Sequence, residues 1–142
     1  MSGTRKSTRK SPCVGICSTT YGDLVCRGCK RFAHEITNWN GYDEDQRSRI
    51  WTRLLELREQ VMSQTVSIVD QQVWAQYTAS FEGMDTYECL AHLIAADKPM
   101  SAAGLVAPSM PAAEPLKVIQ AVDAEIYQRS IAHYEHSFRV TG

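Results

Sequence analysis

Four of the five cysteines fall within a single short stretch, at Cys13, Cys17, Cys26 and Cys29, spaced C-x3-C-x8-C-x2-C. Two close pairs joined by a short loop can bring four sulfurs to one point, as a tetrahedral metal site requires. Too little apolar area surrounds them for a segment such as 12–42 to fold alone, and a bound metal would supply the missing stabilisation. Zinc and an iron–sulfur cluster both take four thiolates, so the residues leave the metal open between the two. The x3 arm is wider than the usual zinc knuckle, and the spacing matches neither common ferredoxin run. Gly15 and Gly28 sit inside the two pairs. They are expected to supply the backbone freedom that a turn around a metal needs, including positive φ. Cys89 stands apart and is expected to fill a core position.

The rest of the chain reads as helices. Phe32, Ile36 and Trp39 recur at helical spacing and predict a short helix whose apolar face packs on the cysteine turns. Asp43-x-x-Gln46 forms a capping box before Ile50, Leu54, Leu57 and Val61, which predicts an amphipathic helix over about residues 44–63. Its other face carries Arg47, Arg49, Arg53, Glu56, Arg58 and Glu59, mixed signs that favour a solvated surface. Val69, Val73, Trp74, Tyr77 and Phe81 predict a helix from 66 to 82. A second capping box, Asp85-x-x-Glu88, opens a shorter one with Tyr87, Leu90, Leu93 and Ile94. Residues 99–115 are rich in proline and alanine and read as a linker or irregular loop. Ile119, Val122, Ile126, Ile131, Tyr134 and Phe138 mark a last helix over about 116–138. No stretch reads as a strand. The expected fold is all-α: a small four-cysteine metal-held knot followed by a bundle of about four to five helices. Its parts are a disordered basic tail at 1–11, a metal module with its following helix at 12–63, and a helical C-terminal region at 64–142.

Composition narrows the function classes. The formal charge of −1 divides into +4 over residues 1–60 and −5 over 61–142. A basic front half suits nucleic acid or an acidic partner, but the balance is modest. No apolar run approaches the roughly 18 residues of a membrane span. The basic N-terminus has no apolar segment after it, which points to the cytoplasm, where clustered cysteines are metal ligands or redox groups rather than disulfides. Arg27, Lys30 and Arg31 lie beside the sulfurs and either balance their charge or form a basic contact for phosphate or a partner carboxylate. His34 beside Glu35 reads as a helix-surface residue, as do His92, His133 and His136. No nucleophile–base pair can be named, so an enzyme acting by itself is the least supported class.

The run SPCVGICSTTYGDLVCRGCKRFAHEITNW resembles a short bacterial module, the DUF1289 family of unknown function. The shared pattern is S/T-P-C-x3-C, a variable loop, then C-x-G-C-x-R-x3-E-I/V-x2-W. Ser11, Pro12, Cys13, Cys17, Cys26, Gly28, Cys29, Arg31, Glu35, Ile36 and Trp39 match it. The likeness covers about residues 11–62. It implies no activity; the family is often labelled a predicted iron–sulfur protein on the strength of its cysteines. The matched residues suggest that Trp39 covers the metal turns while Glu35 pairs with Arg31 one helical turn away. Three functions follow as expectations: a metal-ordered surface for a protein partner, an iron–sulfur electron-transfer or redox-sensing protein, and a nucleic-acid-binding zinc module.

Overall fold

A computed structural model describes residues 11–13 and 17–138. The basic tail expected at 1–11 lies, but for Ser11, outside the described residues, and so does Gly15. Five α-helices dominate the described residues: α1 (Ala33–Thr37), α2 (Glu44–Thr65), α3 (Gln71–Thr78), α4 (Thr86–Ala95) and α5 (Pro115–Phe138). Two short strands, β1 (Ser67–Ile68) and β2 (Leu105–Val106), pair antiparallel with Ser67 opposite Val106 and Ile68 opposite Leu105. The mainly helical expectation holds, and the small sheet is an addition to it. Among the described residues no helix is long and apolar enough to cross a membrane.

Both capping boxes form. The Asp43 N–H donates to Gln46 Oε1 at 2.9 Å and the Gln46 N–H to Asp43 Oδ1 at 2.8 Å. Asp85 and Glu88 exchange the same pair of bonds at 3.1 and 2.8 Å. Each box satisfies N–H groups that a helix start leaves without partners.

The chain divides into two compact units. One comprises Met1–Leu57 with Glu125–Gly142, the other Arg58–Ala124. The units do not follow the order of the chain: the last part of α5 belongs with the cysteine segment. In the first unit Val25, Phe32, Trp39, Ile50 and Ile126 are buried. Phe32 meets His133, Tyr134 and Phe138 edge-on, with ring centroids 5.3–5.5 Å apart.

The second unit has its own core of Val61, Met62, Val66, Leu90, Leu93, Val118 and Val122, with Cys89 fully buried among them as expected. One expectation fails here and another is met only in part. The helix predicted from 66 to 82 is confined to α3, because residues 66–69 are mostly β-branched and Ser67–Ile68 pairs with a distant segment. Asp70 then starts the helix, its Oδ1 accepting the Val73 N–H at 3.1 Å. Residues 99–115, expected as a linker or irregular loop, are irregular over 107–114 but packed into the unit. They hold a 3-10 turn (Met100–Ala103) and β2, and bury Met100, Ala103, Leu105 and Ala107.

Gly104 closes that segment against Asp70. Its φ is +72°, its carbonyl accepts the Val69 N–H at 2.8 Å, and a Cβ built there would stand 2.5 Å from the Asp70 carbonyl oxygen. Gly104→Ala therefore meets both a left-handed backbone penalty and a backbone clash, and is expected to cost about 2–4 kcal/mol. Urea unfolding of the variant measures it; a cost under about 0.5 kcal/mol, the ordinary range for a surface substitution, would contradict this account.

Two acids of the second unit are held neutral. Burial first, and the Asp85 charge second, push the Cys89 thiol up to about 11. Burial and then Asp123 push the Tyr87 phenol well above its ordinary value; the hydroxyl donates to Asp123 Oδ1 at 2.8 Å. The unfolded chain gives up these protons at lower pH than the folded one, so stability is full below about pH 8.5 and falls as pH rises toward 11. Urea unfolding at pH 8 and pH 10.5 is expected to show a loss of roughly 1–3 kcal/mol, with a shallower fall in Cys89→Ala. A flat profile across that window would contradict the assignment.

Candidate metal centre

The second cysteine pair sits on a tight hairpin. Val25 bridges Phe32 in antiparallel fashion, and the Ala33 N–H donates to the Leu24 carbonyl at 2.8 Å. Inside it the Cys26 N–H donates to the Arg31 carbonyl and the Lys30 N–H to the Cys26 carbonyl, both at 2.9 Å. The turn needs one left-handed residue. Lys30 provides it with φ 70°, while Gly28 does not take positive φ, contrary to expectation. Lys30 Nζ donates to the Gly28 carbonyl at 2.8 Å and helps to hold this conformation.

The hairpin aims donors at sulfur. The Cys26 thiol would be raised by burial, but the backbone N–H groups of Cys29, Ser18 and Gly28 outweigh that and hold it down at about 7. Burial raises the Cys29 thiol, and Arg31, whose Nε lies 3.2 Å from its Sγ, opposes the rise. The first pair is reached through Ser18. Its N–H points at Cys26 Sγ, and its Oγ accepts the Arg27 N–H at 2.8 Å, so the 3-10 turn after Cys17 (Ser18–Tyr21) is tied to the hairpin. The Cys17 thiol is lowered chiefly by its hydrogen bond with Thr19 Oγ1, 2.8 Å away. Cys13 is exposed, and its N–H donates to Ser11 Oγ at 3.2 Å.

The structure therefore brings Cys26 and Cys29 together and places Cys17 next to a residue that contacts Cys26. Among the described residues no three His, Cys, Asp or Glu side chains converge on a metal-holding position. The donor chemistry nevertheless suits a metal. Amide and guanidinium N–H groups aimed at sulfur stabilise thiolates, the form that a metal binds.

The flanking residues take roles other than those expected. Glu35 does not pair with Arg31. It is 6 % exposed, and its Oε1 accepts the Phe32 N–H at 2.9 Å and Arg53 Nη2 at 2.8 Å, while Arg53 Nη1 holds Oε2. Arg53 also lies over the Phe32 ring, 4.2 Å from its centroid. The freed Arg31 stacks on Trp39 at 4.9 Å while reaching Cys29, so Trp39 covers the cysteine turn through a guanidinium layer. Arg47 lies on the same ring at 5.7 Å and donates to the Trp39 carbonyl. The face of α2 expected to be solvated thus has Arg47 and Arg53 bonded inward.

The basic contact expected from Arg27, Lys30 and Arg31 does not form as a surface. Lys30 is 8 % and Arg31 3 % exposed; only Arg27 faces solvent, paired with Asp23 and lying over Tyr127. Arg53 and Ser18 were missed by sequence reasoning. Nothing local marks either: Arg53 meets Glu35 across 18 residues, and Ser18 acts through a backbone N–H that nearly any residue carries and through an Oγ that accepts from the Arg27 N–H nine residues away.

Residues 11–58 match the family described as "Protein of unknown function (DUF1289)". No curated protein and no solved structure matches the chain.

Proposed function

We propose that the DUF1289 segment, residues 11–58 of this chain, is a thiolate metal module that orders a surface for a macromolecular partner. Cys13, Cys17, Cys26 and Cys29 are the ligands, and the metal is zinc or an iron–sulfur cluster. The observation that carries this reading is Arg31 Nε 3.2 Å from Cys29 Sγ, beside backbone N–H groups that hold the Cys26 thiol down at about 7. Such donors are wasted on a neutral thiol and stabilise a bound thiolate. A bound metal would supply a cross-link between the two cysteine turns. Exposed apolar groups on the loop between the pairs, Tyr21 at 87 % and Leu24 at 42 %, supply contact area for a protein partner. A reducing compartment such as the cytoplasm suits free thiolates of this kind.

The redox reading keeps its place because hydrogen bonds to ligand sulfurs also set the potential of an iron–sulfur cluster. The nucleic-acid reading rested on the basic tail together with the cysteine segment, and the tail, but for Ser11, lies outside the described residues. Metal and acid-labile sulfide analysis with a visible spectrum, on protein purified without air, separates the readings. About one zinc per chain and no colour supports the structural module. Iron with sulfide and a brown chromophore bleached by dithionite establishes the redox protein instead. A folded chain with neither metal overturns both.

A further inference from the structure

A shallow cleft of about 290 Å³, with no cysteine in its lining, opens in the first unit beside the Glu35–Arg53 pair. Gln46, Arg49, Ile50 and Arg53 line one side of it, at the i, i+3, i+4, i+7 spacing that places them on one face of α2. Glu35 and Tyr42 line the other. The polar groups here are unequal. Glu35 is the cleft's one carboxylate, and both its oxygens are taken by Arg53 and the Phe32 N–H. Gln46 Oε1 is taken by the Asp43 N–H, which turns the amide so that its NH₂ is the end left over. Arg49 is exposed and makes no ion pair among the described residues. Tyr42 packs its ring against Trp39 at 6.5 Å, and its hydroxyl has no partner among the described residues.

What the cleft still offers is thus a guanidinium, an amide NH₂ and a phenol O–H above an apolar floor at Ile50, with no free carboxylate facing them. A ligand that only accepts hydrogen bonds and carries negative charge satisfies all three. We infer that this cleft binds the oxyanion group, phosphate or carboxylate, of a small molecule. Arg49 supplies the charge and a forked pair of donors, and Gln46 and Tyr42 orient the group. The Glu35–Arg53 pair neutralises the second arginine, so the cleft matches a single oxyanion rather than a polyanion such as a nucleic-acid backbone. The inference concerns the helix face and not the sulfurs, so its failure leaves the metal reading untouched.

The test is a titration of the full-length, ¹⁵N-labelled protein as purified, with inorganic phosphate and, separately, with glutarate. The expected result is one saturable event that moves the Arg49 Nε–H and the Gln46 side-chain amide. Saturation by phosphate alone identifies a phosphate site, and by glutarate alone a carboxylate site. Arg49→Gln should weaken binding at least tenfold, and Tyr42→Phe, which keeps the ring and removes only the hydroxyl, severalfold. Lys117→Gln, an exposed lysine elsewhere, should bind as the unaltered chain does. Shifts that never saturate with either probe, or an equal loss in Arg49→Gln and Lys117→Gln, overturn the inference. The backbone spectrum of each variant verifies that it is folded.

Discussion

Cys26→Ser is expected to abolish stoichiometric metal binding and to unfold the cysteine segment while leaving residues 58–124 structured. Cys26 is 1 % exposed and has backbone N–H groups of Cys29, Ser18 and Gly28 around its sulfur, so it is the proposed ligand that the backbone most directly supports. Serine keeps the shape but offers a hydroxyl that does not bind zinc or iron as a thiolate does. Structural metal sites in small modules contribute on the order of 10 kcal/mol, more than a segment of this size can replace from its core. Metal content should fall from about one ion or cluster per chain to near zero. Amide exchange should become fast across the hairpin and stay slow in α4, whose Leu90 and Leu93 belong to a separate core. Full metal content in Cys26→Ser would remove this residue from the ligand set.

Glu35→Ala is expected to have the next largest effect, a loss of about 3 kcal/mol. The carboxylate is buried and accepts three hydrogen bonds, two from Arg53 and one from the Phe32 N–H at the start of α1. Its removal strands a partly buried guanidinium, with 25 % of the Arg53 side chain exposed, and leaves one helix N–H without an acceptor. Replacing both partners, Glu35→Leu with Arg53→Met, should recover much of the loss, because the penalty lies in the uncompensated charge. A double-mutant cycle by urea unfolding measures the coupling, expected at about 1.5–3 kcal/mol. Additive single losses would show that the pair contributes only as packing.

The parts of the fold legible in the sequence are those written locally. Asp43 with Gln46 and Asp85 with Glu88 announce α2 and α4 because each cap is made within four residues, and Val122 and Ile126 announce α5 by their spacing. The pairing of Ser67–Ile68 with Leu105–Val106 is not local, and neither segment alternates long enough to signal a strand. Alanine and proline in 99–115 mask the apolar residues, Met100 and Leu105, that are buried there. At the candidate site the cysteines are legible from spacing and the reach of Arg53 to Glu35 is not, since charge-pair rules cover only neighbours one turn apart. Lys30 was unreadable for another reason: a left-handed φ is ordinarily expected of Gly28, and here a lysine adopts it and is held by its own Nζ contact.

The measurement that tests the central claim most directly is X-ray absorption at the metal edge of the anaerobically purified protein. The account predicts a shell of four sulfur neighbours at about 2.3 Å, whether the metal is zinc or iron. A shell dominated by nitrogen or oxygen at about 2.0–2.1 Å, or no bound metal at all, would contradict it.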